Sequence, residues 1–230
     1  MINEFKIIKL KFISDILTYI PLMFTLFYIL CIDLYLGPSW HKTAIQIYTG
    51  CFNAITPLIL SITVFQTIRF EEGIGHFNHI LSKTSRLSWA LATLMYIYIN
   101  YVLSLIISTL NLIIMSENLN ISLFYLLTSL LFNILITVII FMIGLFIKSV
   151  LAIVGGIFSV IFNIYFGMEV LGDQSWYYMP ITYATRYIPM YIQNSVPYVL
   201  TLILYVMSLI IICGFLMLTI KKWSGRKIND

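Results

Sequence analysis

Charge is scarce in this chain. Of its 230 residues only 10% are Asp, Glu, Lys or Arg, while 61% are hydrophobic, and the mean hydropathy is +0.99. A water-soluble domain carries about a quarter charged residues. A chain of this composition cannot cover itself with polar groups in water, which excludes a soluble domain and defines an integral membrane protein. Cysteine is also sparse: Cys31, Cys51 and Cys213 are scattered, odd in number and without metal-ligand spacing, so they read as packing thiols. No glycine-rich phosphate loop ending in Gly-Lys-Ser/Thr is present, so the chain binds no ATP by that device. HExxH is missing, as is any Ser and His pair with a supporting acid. The apolar runs hold no Asp, Glu, Lys or Arg away from their ends, where such a residue would mark an ion route. The net charge of +4 is spread along the chain and forms no single patch, which argues against nucleic acid as a partner. No cleavable signal peptide is evident, because the stretch from Ile16 is long and lacks a small-residue cleavage site at its far end.

What is present is a series of apolar runs of membrane-crossing length, about 20 residues each. They predict six transmembrane helices, over about 16–36, 45–68, 87–115, 121–146, 149–167 and 198–220. Together they form one transmembrane domain, residues 15–230. Residues 1–14 alternate Lys6, Lys9 and Lys11 with Phe5, Ile8 and Phe12, the pattern of a short amphipathic helix at an anionic lipid surface; a disordered basic tail is the alternative. Pro57 interrupts the second run close to Asn53 and is expected to kink it. Asn100, Ser104, Ser108 and Asn111 recur three or four apart along the third, a polar stripe that is either interhelical glue or one wall of a polar route.

Two connections stand out. Residues 69–86 form the longest charged interval between runs, with Phe70, Ile74, Phe77 and Leu81 at helical spacing. They predict a short helix lying against the membrane with its polar side offered to a partner, or else an ordinary solvated loop. Residues 168–197 are rich in tyrosine and broken by Pro180, Pro189 and Pro197; they predict one or two short helices dipping into, or lying along, the outer leaflet. With the amino terminus inside, internal segments hold eleven Lys or Arg residues and external ones only Lys42 and Arg186. Both termini are therefore expected to be cytoplasmic. One enzymatic pattern needs weighing. Glu71-Glu72 with His76 and His79 resembles the EExxxR pattern of CAAX-processing intramembrane proteases, but His76 stands in the arginine place and the group falls at the surface. The chain is expected not to be an enzyme.

Several features together resemble the ABC-2 type transporter permeases, and within them the subunits for lantibiotic self-immunity (the MutE/EpiE/MutG-like group). They are the basic amphipathic start, six spans with both ends inside, the Glu71-Glu72-Gly73…Phe77…Leu81-Ser82…Ser85-Arg86 segment, and the Pro- and Tyr-rich stretch before the sixth span. The resemblance implies a permease of a bacterial plasma membrane, multi-pass, that expels a cationic amphipathic peptide. It implies a separate ATP-binding cassette subunit carrying ATP and Mg, with no cofactor bound by this chain, and a second copy or related permease alongside. Glu71, Glu72, Ile74, Phe77, Leu81 and Arg86 would couple to the ATP-binding partner. Asn53, Asn100, Asn111, Tyr183 and Tyr187 would line the substrate path or make interhelical contacts, and Glu169 and Asp173 would attract the cationic cargo from outside.

Overall fold

The computed structural model describes residues 2–12, 15–38, 40–73, 77–82, 85–168 and 176–225. Its regular elements are all helical. In chain order they are α1 (Ile2–Phe12), α2 (Ile20–Leu36), α3 (Lys42–Gly73), α4 (Asn78–Leu81), α5 (Arg86–Ser116), α6 (Leu119–Phe146), α7 (Ser149–Phe162), α8 (Tyr183–Ile192) and α9 (Tyr198–Lys222). A six-residue π-helical stretch, Asn163–Met168, extends α7. Short 3-10 turns precede α2 at Ile16–Tyr19 and α8 at Trp176–Tyr178 and Pro180–Thr182.

Helices α3, α5, α6, α9 and α7 with its extension are each long and apolar enough to cross a membrane. The apolar α2 is shorter, at 17 residues, and its 3-10 turn completes the first expected span. The chain is thus an all-α polytopic membrane protein. Local chemistry sets several boundaries. The Ser85 side chain accepts from Ser88 N–H to open α5, and the Asn118 side chain accepts from Ile121 N–H to open α6. Glu117, between them, closes α5 in the left-handed region at φ 52°.

The central pillar is α3. Within its membrane-length window 72% of residues are buried, against 17% in α9. It continues through Pro57 as one helix of 32 residues, about 48 Å at ~1.5 Å per residue. A hydrocarbon core is ~30 Å thick, so α3 overshoots it. The second span was expected to stop at Ile68; the helix instead runs on to Gly73 and takes in the first part of the 69–86 segment. That segment is therefore not a single amphipathic helix. Phe77 adopts φ 67°, a left-handed conformation that breaks the helical spacing between Phe70 and Leu81, and only Asn78–Leu81 resumes the helix. Ile74 and His76 lie outside the described residues, as do Glu169 and Asp173.

The two ends of the bundle differ. At one, Lys6, Lys9, Arg69, Lys148, Lys221 and Lys222 are exposed. At the other, Tyr35, Tyr165, Tyr178 and Tyr198 are exposed rings, the placement that amphipathic aromatics favour at a membrane–water boundary.

Candidate functional site

Polar side chains meet in three layers. In the middle, Asn53 of α3 is fully buried and its Nδ2 donates to the Ala184 carbonyl of α8 at 2.7 Å. Asn133 of α6 donates to Tyr101 Oη at 2.9 Å, to the Ser129 carbonyl at 3.0 Å and, more loosely, to Asn53 Oδ1 at 3.4 Å. Tyr101 of α5 in turn donates to the Ser129 carbonyl at 3.2 Å. Four elements are joined through one pair of amides. Pro57, one turn further along α3, has no N–H and leaves the Asn53 carbonyl without its usual helical donor. Asn133 and Tyr101 were not anticipated. The available signal was a lone amide in the middle of the apolar run 121–146.

Nearer the aromatic end, Tyr48 Oη donates to the Ser108 carbonyl at 2.9 Å and lies 3.0 Å from Ser108 Oγ, which meets Tyr125 Oη at 3.1 Å. Asn111 donates to Asp33 of α2 at 3.0 Å. The stripe on α5 thus faces the bundle interior. Ser108 and Asn111 act as interhelical glue, while Asn100 donates to the Tyr96 carbonyl of its own helix at 3.0 Å. Alanine at Asn53, at Asn133 and at both should show a coupling of about 0.6–1.7 kcal/mol, the range of membrane hydrogen bonds. Thermal unfolding of the four proteins in detergent measures it, and additive effects would contradict a direct amide–amide bond.

Tyr183 and Tyr187 of α8 are buried rather than displayed. Phe132 of α6 packs against both, with ring centroids 5.4 and 4.5 Å away, and Trp176 and Tyr205 close the cluster. Tyr187 also bonds Thr201 of α9, and Tyr205 bonds the Leu131 carbonyl. Phe132 stands about 20 Å along α6 from Leu119, near that helix's midpoint. The segment before α9 therefore re-enters the bundle, and α8 climbs back from this depth until Tyr191 stacks on Phe124 at 4.1 Å. Tyr183 and Tyr187 thus both make contacts between helices.

At the basic end, the residues expected to face a partner are engaged within the chain. Glu71 is 5% exposed and pairs with Lys11 of α1 at 2.8 Å. Glu72 accepts from Ser149 Oγ at the start of α7 at 2.8 Å. The two carboxylates diverge to different helices, which does not make a paired catalytic site. Phe77 is buried against Trp223, with centroids 5.1 Å apart, and Trp223 also meets Phe146 at 6.3 Å. Arg86 donates to the Trp223 carbonyl and, at 3.4 Å, to that of Leu81. Among the described residues, this segment presents Arg69, Gly73, Asn78, Ser82 and Ser85 outward. No group of three or more His, Cys, Asp or Glu converges among the described residues.

No protein-family model matches the chain, and no curated protein or solved structure is similar to it. The class that the fold defines is that of polytopic helical membrane proteins, an architecture consistent with a transporter or permease in general.

Proposed function

We propose that this chain is the membrane-spanning permease subunit of an ATP-binding cassette exporter, and that it removes a lantibiotic or similar cationic amphipathic peptide from the membrane of the producing bacterium. One observation carries the reading. The end of α3 and the loop that follows it at the basic end are tied to α1 through Glu71, to α7 through Glu72, to the end of α9 through Phe77 and to α5 through Arg86. A push delivered there by an ATP-binding partner reaches most of the bundle at once. In this reading the basic end is cytoplasmic, the shorter α2 with its 3-10 turn is the sixth span, and a second permease completes the path. The partner docks on the exposed residues of the loop, while Glu71, Glu72 and Phe77 transmit the movement inward.

The test is ATP hydrolysis by the reconstituted complex, titrated with a lantibiotic and with an unrelated cationic amphipathic peptide. Stimulation by the lantibiotic alone is the expected result. Equal stimulation by both supports export of a broader class of amphipathic peptide or hydrophobic drug. Failure to bind any ATP-binding subunit, with no change in its hydrolysis rate, would instead favour a membrane scaffold or sensor subunit.

A further inference from the structure

Where α5, α6 and α9 meet, an apolar groove of about 280 Å³ opens on the bundle surface at its basic end. Its walls include Leu87, Leu91 and Leu94 of α5, Val138 of α6, and Cys213 and Met217 of α9. Met217 and Leu91 are 42% and 36% exposed, so the groove is reached from the side.

The charge at its mouth distinguishes it from the other apolar faces of the bundle. Side chains four residues apart share one side of a helix. The row Cys213, Met217 on α9 therefore continues directly to Lys221, which is exposed, with exposed Lys222 beside it. Across the groove Leu87 follows Arg86, whose bond to the Trp223 carbonyl draws the two helix ends together. Three cations thus gather at one end of an apolar slot that runs about 12 Å along α9 from Cys213 to Lys221. An acyl chain matches the slot, and an anionic headgroup matches the cations. By contrast, exposed apolar residues on α2, such as Phe27 and Leu30, belong to a helix with no lysine or arginine along it.

We infer that this groove is a specific site for an anionic phospholipid, with one chain between α5 and α9 and its phosphate at Lys221 and Lys222. The site stands apart from the export reading and makes no use of it. Near an anionic surface each lysine contributes about 1 kcal/mol, so loss of both corresponds to roughly thirtyfold weaker binding.

The experiment is native mass spectrometry of the whole protein titrated with phosphatidylglycerol and, separately, with phosphatidylcholine. The wild type should hold phosphatidylglycerol preferentially. K221Q/K222Q should lose about thirtyfold in its affinity for that lipid and bind phosphatidylcholine as before. M217W, which fills the slot and keeps both charges, should also lose phosphatidylglycerol while its melting temperature in detergent stays near that of the wild type. Equal retention of the two lipids by the wild type would overturn the site. So would full phosphatidylglycerol binding by M217W, because the lysines would then act only as a diffuse charged surface.

Discussion

Replacing Gly156 with leucine should leave almost no folded protein to purify. Helix α7 lies against α3 so closely at this point that a Cβ on residue 156 would press into Ser61 Oγ, 2.5 Å from Ser61 Cβ and 3.0 Å from the Pro57 carbonyl. Backbone supplies one of those neighbours, and Ser61 is itself fully buried, so no flexible side chain can swing aside. Overpacking of a tight interior costs about 1–3 kcal/mol for small additions, and four added carbons on the central pillar exceed that range. Gly214 offers the control, because nothing lies within 4 Å of its added Cβ. Gly214→Leu should therefore express like the wild type. The readout is the monodisperse fraction on size-exclusion chromatography and its melting temperature. Gly156→Ala should be intermediate, and adding Ser61→Gly should recover part of its loss, because that change removes both Ser61 atoms from the clash. Wild-type behaviour of Gly156→Leu would mean that α3 and α7 are not in contact there.

Trp223→Ala should abolish most of the peptide-stimulated hydrolysis rather than unfold the chain. The indole makes edge-to-face contacts with Phe77 and Phe146, each contributing about 0.5–1.5 kcal/mol. Their loss removes about 1–3 kcal/mol from the joint between loop and α9, a factor of roughly five to 160 in the equilibrium that holds it closed. Arg86 still bonds the backbone carbonyl of residue 223 in the variant, so the helix end stays in place. Under the proposed function, the ATP-binding partner should remain bound while peptide-stimulated hydrolysis falls at least tenfold. Trp223→Phe, which keeps a ring between the two phenylalanines, should restore most of it. Loss of partner binding in Trp223→Ala would show that the ring shapes the docking surface itself.

The membrane-crossing helices were legible because lipid imposes a length and a composition on each apolar run, and those survive without tertiary information. The end of α3 was not. Glu71 and Glu72 read as part of a separate short helix or a solvated loop after the second span, but Lys11, sixty residues earlier, and Ser149, far downstream, supply partners for them at the end of a continuous α3. Local periodicity also failed at Phe77. Its spacing from Phe70 and Leu81 is helical, yet burial beneath Trp223 holds it in the left-handed region, a gain visible only once the chain end is folded back. Asn53 and the α5 stripe were found because an amide in an apolar run needs a partner; which partner depended on the path of α8. That path depends on contacts of the same kind. Tyr183 and Tyr187 have the amphipathic character of interfacial rings, but their hydroxyls bond the Tyr177 carbonyl and Thr201. With those bonds made, the rings are satisfied deep among Phe132, Trp176 and Tyr205.

Helix α9 meets the rest of the protein chiefly through its two ends: Thr201 and Tyr205 are buried at one, Leu216 and Ile220 at the other, and no residue from 206 to 215 is fully buried. It also leaves the ribosome after α1 to α8. The preceding helices share their buried seams with one another and can assemble while α9 is still being synthesised. Its arrival closes two separate latches, with Tyr205 at Leu131 on the aromatic side and Trp223 at Phe77 on the basic side. A nascent chain arrested before residue 198 would thus carry a preassembled helical body in which the α8 segment and the loop at Phe77 are both still unfastened. Synthesis of α9 and Trp223 is then the event that turns this body into a single mechanical unit.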